Sequence, residues 1–567
     1  MDIKHKIGEI RKLFSEKKFD EVLKKINAFS KIKERPSELS SLSGICKILK
    51  SNPTQKEIVS ALTDFKDSYF KSKTSNNGLD SVCNYISTCI LYSNNYPELF
   101  NYFNDAKILY DEAESNFGYN EKLYIAGLKL HKSILDYDKM REINASLVNN
   151  NTKHLTTLCR WAFINNYCYK WKQEDYFDFS KVLKEHFPSC QTESVSGLYF
   201  KDKEKIKIGF VSCNYNAAHS ITYFMKEIIG NMDKKKFEIH AFDLGRYGKY
   251  NQPISEFKIK FDFWHELKDK SNQEVINFIQ KNKIEILIDV ISLTHPDRIG
   301  IFKNRISPLQ ISWLAYCNTV GFDTIDYLIS DKYLVKDGEE KNYAEKIIKM
   351  SNIWSAHSGF SFIRKFQELP FLDSKQITFG SFNNFMKISD EVVETWSNIL
   401  KKVKNSRLIL KSSETYNYEI IKNKFKKLGV NNSIKILNKN DFENTEDHLN
   451  LYNKIDIALD TFPYTGVTTT FEALWKGIPV ITMAGHNFKS RCGESILKNA
   501  KLESLICSDS DDYINKTLKL VRDIDNLKSL RKELFSNILK TPLFDNIKYT
   551  TEFEKILLTK YSEKIYK

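Results

Sequence analysis

Three consecutive threonines, Thr468, Thr469 and Thr470, are followed two residues later by a glutamate, Glu472. The apolar periodicity of residues 471–475 predicts that this group lies at the start of a helix. A helix N-terminus carries unpaired backbone N–H groups and the positive end of its dipole, and threonine hydroxyls add further donors. Such a site suits a pyrophosphate, and a carboxylate beside it can accept both hydroxyls of a ribose. Alternatively, Thr468 only caps the helix and Glu472 only complements its dipole.

The elements around the threonines form a strand–helix–strand unit. Residues 455–459 are a mostly apolar run that predicts a buried strand ending at Asp460, and a turn-rich loop continues to Gly466. After the helix, residues 479–483 predict a second strand. Ligands of open α/β sheets bind outside the carboxyl ends of the strands, so we expect Asp460, Gly466 and the threonines to share one crevice.

This stretch resembles the nucleotide-sugar site of the O-GlcNAc-transferase family of glycosyltransferases, which includes SPINDLY-type enzymes and bacterial members. The family pattern is D-T-x-P-x-x-G, then threonines, an acid and A-L-W-x-G-x-P-V, and it is matched from Asp460 to Val480. The resemblance covers residues 206–510 and implies the GT-B architecture, in which two Rossmann-like domains face each other across a cleft. It also implies that the matched residues bind a nucleotide-sugar donor: Asp460, Gly466, Thr468, Thr469, Thr470 and Glu472.

Lys387 follows another predicted strand, residues 377–384. A lysine at the carboxyl end of a strand can neutralise a pyrophosphate leaving group, although most lysines at such positions are solvated surface residues. The family has the pattern F-N-x-x-x-K-I at this place, matched by residues 382–388, and its lysine contacts the donor phosphates. The resemblance therefore implies a catalytic role for Lys387 and donor binding by Asn383.

His448 lies twelve residues before Asp460, on the preceding predicted helix. An imidazole can stack on a pyrimidine and also donate a hydrogen bond. The family has a histidine at this spacing that packs on the uracil base, so the resemblance implies that His448 binds the donor base. The alternative is an ordinary histidine on the surface of a helix.

Three further residues are candidates on the acceptor side. His219 follows the predicted strand 206–214, and the resemblance implies that it is the histidine considered as the general base of the family. A neutral imidazole suits that role, but the donor's own phosphate is an alternative base, and His219 could simply cap the next helix. His295 is displaced by two residues from the G-H-T motif of the family. Tyr316 lies in segment 313–319, which has lost both glycines and the proline of W-L-G-Y-P-G-T.

The whole chain predicts an α/β GT-B fold, with two facing Rossmann-like domains, preceded by an all-α domain. Residues 1–200 show helical periodicity without a clean repeat, so we expect a divergent, possibly TPR-like domain that is either an acceptor or partner platform or a structural cap. From residue 206, strands and helices alternate. We assign residues 205–365 to the acceptor-side domain, 375–545 to the nucleotide-sugar domain and 546–567 to a C-terminal helix. In GT-B folds such a helix often packs back on the first domain.

Composition narrows the functional class. The chain has 567 residues, of which 41% are hydrophobic, and a formal charge of +14 without a compact basic block, so we expect no nucleic-acid partner. Its ten cysteines are scattered and form no C-x-x-C pair, which favours a reducing compartment. The sequence shows no signal peptide and no apolar stretch long enough to span a bilayer, so we expect a cytoplasmic protein without a transmembrane segment.

The matched motifs and the family resemblance together predict an inverting, metal-independent glycosyltransferase. It would move GlcNAc or glucose from a UDP-sugar to Ser or Thr hydroxyls of a protein. No D-x-D pair is suitably near a predicted strand end, so we expect no metal and no cofactor besides the donor. Bacterial members of the family modify flagellins and adhesins, which makes such a protein the expected acceptor. The alternatives are an Asn-linked protein glucosyltransferase and a non-catalytic, transferase-like interaction scaffold.

Overall fold

The computed structural model describes residues 3–30, 34–150, 155–167, 171–186, 205–216, 219–245, 247, 255–360, 364–411, 418–437 and 444–565. The chain divides into two compact units. The first comprises Met1–Thr152 with Ser413–Ile421, and the second comprises Lys153–Ser412 with Lys422–Lys567. The helices Leu155–Asn165 and Gln173–His186, which follow Thr152, therefore belong to the second unit. The end of the predicted helical region, residues 187–200, lies outside the described residues.

The first unit is built from helices that pack on their neighbours in the chain. Its helices in the described residues are α1 (Ile3–Ser15), α2 (Phe19–Ser30), α3 (Ser37–Ile48), α4 (Gln55–Phe70), α5 (Asn76–Tyr92), α6 (Tyr102–Phe117), α7 (Glu121–Ser133) and α8 (Tyr137–Asn149). In α4, Leu62, Phe65 and Tyr69 lie on one buried face, as the helical periodicity predicts. Thr54 and Glu57 form a capping box at the start of the same helix.

The second unit begins with α9 (Leu155–Asn165) and α10 (Gln173–His186) and continues into a parallel sheet. The described strands of this sheet are β1 (Ile206–Ser212), β2 (Phe237–Asp243), β3 (Phe263–Glu266), β4 (Ile286–Asp289), β5 (Leu309–Ser312), β6 (Tyr327–Asp331) and β7 (Lys346–Met350). Helices α11 (Ser220–Asn231), α12 (Ser255–Lys258) and α13 (Asn272–Lys281) lie between them in the chain. The strand order is β3-β2-β1-β4-β5-β6-β7, so the order reverses between β1 and β4. The carboxyl ends of strands at such a reversal border a ligand crevice.

A second parallel sheet follows the short helix α14 (Pro370–Ser374). Its described strands are β8 (Ile377–Ser381), β9 (Ser406–Lys411), β10 (Ile434–Leu437), β11 (Ile457–Leu459), β12 (Val480–Met483) and β13 (Ile506–Cys507), in the order β10-β9-β8-β11-β12-β13. The remaining helices are α15 (Asp390–Lys402), α16 (Tyr418–Lys427), α17 (Thr445–Asn450), α18 (Thr468–Trp475), α19 (Phe488–Asn499), α20 (Ser510–Arg522), α21 (Ile524–Asn537) and α22 (Asn546–Ile565). The two sheets, preceded by an all-helical region, confirm the predicted α/β class with two Rossmann-like domains. None of the helices in the described residues is both long and apolar enough to cross a membrane.

Strands at the sheet edges are where the sequence prediction falls short. The sequence did not predict β3, a partly exposed edge strand, β7, the edge strand on the other side of the same sheet, or β13, which has two residues, because none of them contains an extended apolar run. The helical segment that follows β13 is interrupted at Asp523. This residue ends α20 and caps α21, where its carboxylate accepts the backbone N–H of Asn526 at 2.9 Å.

The C-terminal helix closes the core of the first Rossmann-like sheet. Phe553 and Leu557 of α22 lie in the same buried cluster as Trp313. The ring centroids of Phe553 and Trp313 are 5.1 Å apart. The indole N–H of Trp313 donates to the carbonyl of Trp354 at 3.2 Å, so this large polar aromatic side chain is buried with its donor satisfied. The helix therefore packs back on the first domain, as the resemblance implied.

Replacing Phe553 with alanine should destabilise the second unit. Truncating a fully buried phenylalanine removes apolar contacts and leaves a cavity, which typically costs about 3–5 kcal/mol. We expect the loss to appear as an earlier transition in urea or thermal unfolding. The control is Lys555→Ala, on the exposed side of the same helix, which should change stability by less than about 0.5 kcal/mol. Equal stability of the two variants would show that α22 does not close this core.

Candidate active site

The predicted site residues follow strands that end at one cleft. The loops after β1, β4, β5 and β8 and the start of α18 all contribute to its walls, and its volume is about 460 Å³. Six predicted site residues line it: His219, His295, Asn383, Lys387, Thr468 and Thr469. In the described part of the chain, no group of three or more His, Cys, Asp or Glu side chains is arranged to hold a metal ion.

Asp460 lies beneath the cleft and organises its donor side. Its Oδ1 accepts the backbone N–H groups of Gly466 at 2.6 Å and Thr461 at 2.9 Å, and its Oδ2 accepts the hydroxyl of Thr482 at 2.7 Å. Asn383 donates its amide to the same carboxylate at 3.3 Å. Burial raises the pKa of Asp460 from 3.8 to about 6. The oxygens of Asp460 are thus occupied by protein donors that fix the loop to Gly466, and its donor-binding role stays a prediction.

Lys387 presents its ammonium group to the cleft. Nζ donates to the carbonyl of Thr465 at 2.9 Å and lies 4.1 Å from the ring centroid of Tyr464. Burial lowers the pKa of Lys387, and the nearby Asp460 carboxylate opposes this shift. Nζ also donates to Oδ1 of Asn383 at 3.5 Å. Because an ammonium has three N–H donors, one remains for an anion in the cleft.

The start of α18 lies beside Lys387 and has no side-chain cap. Its first backbone N–H groups therefore remain donors for a ligand in the cleft. The hydroxyl of Thr469 donates to Oδ1 of Asn383 at 3.0 Å, which links the helix start to the loop after β8. Thr470, in contrast, is buried and donates to the carbonyl of Gly466 at 3.0 Å. Of the three predicted threonines, Thr468 and Thr469 line the cleft and Thr470 does not.

Glu472 and His448 belong to a series of hydrogen-bonded side chains. The sequence analysis identified these two residues but missed Lys411 and Tyr452. The ammonium of Lys411 lies 2.7 Å from Nδ1 of His448, and Nε2 of His448 lies 3.0 Å from Oε2 of Glu472. Because an ammonium can only donate, Nδ1 is an acceptor, and the neutral ring then donates from Nε2 to Glu472. Tyr452 donates its hydroxyl to the same Oε2 at 2.8 Å. Both ring nitrogens of His448 therefore hold Glu472 and Lys411 in place.

The charged groups in this series of hydrogen bonds stabilise each other. Burial opposes ionisation of Glu472, but its partners, His448 foremost, lower the pKa of its carboxyl group overall. Burial lowers the pKa of Lys411 to about 8, and the Glu472 carboxylate acts in the other direction. Lys411 ends β9 as Lys387 follows β8, so its place at the carboxyl end of a strand was the available sequence signal.

On the acceptor side, His219 caps α11. Its Nδ1 accepts the backbone N–H of Ile221 at 3.3 Å. Burial, reinforced by the neighbouring His295, lowers the pKa of His219 from 6.5 to about 4. At neutral pH the ring is uncharged and, because Nδ1 is an acceptor, its proton lies on Nε2. His219 is therefore a hydrogen-bond donor with no free basic nitrogen, which argues against the predicted general-base role.

His295 lies in the same wall, although its sequence motif is displaced. Nε2 of His295 is 2.8 Å from the side-chain amide nitrogen of Asn214, a cleft residue that the sequence analysis missed. Burial lowers the pKa of His295 as well. Both histidines of the acceptor side are thus held neutral by desolvation.

Tyr316 does not reach the cleft, which corrects its assignment to the acceptor side. Its side chain is buried, with its ring 6.3 Å from that of Phe163 in α9. Leu314, Ala315 and Cys317 line the cleft instead. Phe163 also contributes to the wall, and nothing in the sequence distinguished this residue of α9 from other apolar helix positions.

Comparison with known proteins adds the family. The model of glycosyl transferase family 41 matches residues 184–361 and 361–553, which together are more than half of the chain. The chain belongs to glycosyl transferase family 41. Its helical residues before 184 lie outside the part that defines the family.

The chain is similar to several plant proteins and, in its fold, to a protein of known structure. The chain is 29% identical over 347 residues to the probable UDP-N-acetylglucosamine–peptide N-acetylglucosaminyltransferase SPINDLY of Solanum lycopersicum, covering 59% of this chain and 36% of that protein. The Hordeum vulgare protein of the same name is 30% identical over 343 residues, with coverage of 59% and 36%. The chain thus spans little more than a third of these relatives. A mutant O-GlcNAc transferase of Thermobaculum terrenum superposes with a TM-score of 0.75 at 19% identity, over 94% of this chain and 98% of that one, which confirms the predicted GT-B fold.

Replacing Gly466 with alanine should destabilise the donor side. An added Cβ would lie 2.4 Å from the hydroxyl oxygen of Thr469 and 2.9 Å from Oδ1 of Asp460, both closer than real Cβ contacts. Overpacking of this kind costs about 1–3 kcal/mol, measurable by chemical unfolding. At Gly8, in helix α1, an added Cβ meets no atom within 4 Å, so Gly8→Ala should be neutral or stabilising by up to about 1 kcal/mol. Wild-type stability of Gly466→Ala would contradict the packing described.

The buried state of His219 predicts a pH dependence. Because its folded pKa of about 4 lies below the unfolded value of 6.5, stability from this site is complete above pH 6.5 and is lost as pH falls toward 4. His219→Asn keeps a capping acceptor and removes the titration. Its melting temperature should fall less than that of the wild type between pH 7 and 4. The exposed His5→Asn should follow the wild type, and a His219→Asn curve parallel to the wild type would show that His219 is not held neutral.

Proposed function

We propose that this chain is an inverting glycosyltransferase that moves a sugar from a UDP-sugar to a Ser or Thr hydroxyl of a protein without a metal ion. The observation that carries the proposal is that Lys387 and the uncapped N-terminus of α18 face the same cleft. Both place positive charge where a pyrophosphate would bind. The names of the SPINDLY relatives support UDP-GlcNAc as the donor, with UDP-glucose as the second candidate.

The donor side would stabilise UDP as it leaves. When the bond between the anomeric carbon and the phosphate oxygen breaks, negative charge grows on the β-phosphate. A fixed ammonium at Lys387 and fixed N–H groups of α18 lower the energy of that charge without reorganisation, which is the role a divalent cation has in other transferases. Glu472, oriented by His448 and Tyr452, would accept the ribose hydroxyls. The uracil base would then lie beside His448.

The acceptor would enter past His219 and His295. Inversion requires the acceptor hydroxyl to attack the anomeric carbon from the side opposite to UDP. Since His219 carries its proton on Nε2, it would donate a hydrogen bond in the cleft, and the hydroxyl proton would pass to an oxygen of the donor phosphate. A bacterial flagellin or adhesin remains the acceptor that we expect.

A non-catalytic scaffold is the competing function. It is favoured by the altered wall, where Tyr316 is buried and Cys317 replaces the proline of the family pattern. It is opposed by the ordered donor side, because a protein without a ligand would not need an ammonium and a helix N-terminus aimed at one cavity. An Asn-linked transferase would differ from our proposal only in the acceptor.

Nucleotide-sugar binding should stabilise the wild type and should stabilise Lys387→Ala much less. A ligand at a hundred times its dissociation constant adds about 2.7 kcal/mol. If the variant binds tenfold more weakly, the same concentration adds only about 1.4 kcal/mol. Thermal unfolding with UDP-GlcNAc, UDP-glucose, GDP-sugars and UDP measures this difference and identifies the donor.

The matched control is Lys402→Ala, an exposed lysine at the end of α15, which should keep the full stabilisation. The stabilising donor is then incubated with a Ser/Thr peptide and an Asn peptide, and mass spectrometry shows which one gains the sugar. Lack of stabilisation by every nucleotide would overturn the proposal. Binding without transfer to any peptide or water would favour the scaffold.

A further inference from the structure

Two cysteines from the two Rossmann-like domains meet at the cleft. Cys317 follows β5 in the first domain, lines the cleft and is partly exposed. Cys492 is in α19 of the second domain and is fully buried. Their Sγ atoms are 3.9 Å apart, and the S–H of Cys492 has two acceptors in reach, the Cys317 sulfur and the carbonyl of Phe488 at 3.4 Å. A disulfide requires about 2.05 Å between the sulfurs, so a movement of roughly 2 Å would join them.

The surroundings of Cys317 favour its thiolate. The hydrogen bond from Cys492 lowers the pKa of Cys317, and the charges of Lys387 and Lys489 act in the same direction, while burial opposes them. The thiolate is the reactive form of cysteine, and reactive thiols lie in partly exposed, electropositive surroundings. Cys317 meets both conditions at the cleft, whereas Cys492 is shielded from solvent and can react only with Cys317 or after the protein opens.

We propose that Cys317 is a site of oxidation by hydroperoxides and that Cys492 captures the oxidised sulfur as a disulfide between the two domains. The Cys317 thiolate attacks one peroxide oxygen, the O–O bond breaks, and Cys317 becomes a sulfenic acid as hydroxide leaves and takes up a proton. The sulfur of Cys492 then attacks the Cys317 sulfur, the S–O bond breaks, and the departing hydroxide takes the proton of Cys492. The two thiols lose two electrons and two protons, and hydrogen peroxide becomes two water molecules.

The disulfide would add a covalent link to an interface that is already polar and tight. Arg491, next to Cys492, donates to both carboxylate oxygens of Glu339, at 2.5 and 2.9 Å. Ser495 donates to Asp331 at 2.6 Å. Drawing Cys317 toward α19 would shift the adjacent cleft wall at Leu314 and Ala315. Because the cleft is the donor site of the proposed function, oxidation should weaken donor binding.

The test treats the full-length protein with hydrogen peroxide, removes the reagent and maps peptides without reduction. The expected result is an intramolecular Cys317–Cys492 crosslink and an intact mass lower by two hydrogens, both reversed by dithiothreitol. Cys317→Ser and Cys492→Ser should each abolish the crosslink, and Cys492→Ser should leave Cys317 as a sulfenic acid that a dimedone probe captures. Cys507→Ser, a buried cysteine in β13, should crosslink as the wild type does.

An intact thiol pair after oxidation, a sulfinic acid at Cys317 in the wild type, or crosslinks only between other cysteines would each overturn the proposal. Thermal stabilisation by the UDP-sugar supplies the functional readout, and we expect it to fall at least threefold on oxidation and to return on reduction. The two ideas fail separately. A crosslink in a protein that binds no nucleotide leaves the thiol chemistry standing and removes the proposed function, whereas unchanged donor binding by the crosslinked protein would overturn its effect on the cleft.

Discussion

The donor side of the cleft depends on one buried carboxylate. Asp460 accepts two backbone N–H groups, a threonine hydroxyl and the amide of Asn383, so the loop 461–466, strand β12 and the loop after β8 are fixed to one side chain. Burial makes the ionised form of Asp460 costly, as its raised pKa shows. That cost is offset by charge-assisted hydrogen bonds and by attraction to Lys387. The carboxylate of Asp460 therefore offsets the charge of Lys387, the cation that would face the ligand. Removing Asp460 would leave both the loop N–H donors and Lys387 without this partner.

A second buried charge fixes the helical segment α9–α10 to the Rossmann-like domains. The ammonium of Lys489 is completely buried and donates to the carbonyls of Asn165 and Asn166 and to the hydroxyl of Tyr176 at 2.7 Å. A buried ammonium is tolerated only when such acceptors replace its water, and losing one side of a buried charged network costs about 3–5 kcal/mol. Gln173 completes the attachment with a hydrogen bond of 2.7 Å to Asn318 in the first domain. This segment contacts both Rossmann-like domains and is part of the second unit.

Sequence reasoning succeeded where short-range chemistry decides the structure. Apolar runs that end in Asp460 and before Lys387 predicted central strands with polar ends, because a strand buried on both faces leaves a strong compositional signal. It failed where the deciding partner is distant in the chain. The helices α9 and α10 look like any amphipathic helix, and only the tertiary fold brings the carbonyls at the end of α9 and the Tyr176 hydroxyl of α10 to Lys489. Edge strand β3 is partly exposed and ends in a histidine and a glutamate, so its composition is like that of a loop.

The same distinction explains the individual site residues. The residue type of His219 suggested a base, but the proton position on its ring is set by a backbone N–H two residues away, which composition does not record. The role of His448 likewise depends on Lys411, thirty-seven residues earlier. Asp460 and Tyr316 were assigned to the ligand from motif position, yet burial places them behind the surface that they shape. A motif thus identifies the neighbourhood, and hydrogen-bond partners decide which members face the ligand.

The charges that line the cleft decide how it would respond to an anion. Desolvation keeps His219 and His295 neutral on the acceptor side of the cleft. The positive charge therefore comes from the donor side, from Lys387 and the N-terminus of α18. A bound pyrophosphate would favour the charged form of every nearby base. Protonating His219 at Nδ1 would, however, break its bond to the N–H of Ile221 and uncap α11. The hydrogen bond to Ile221 therefore disfavours the cationic form of His219, so the ring keeps its single proton on Nε2. The charge of a bound anion is then neutralised by Lys387.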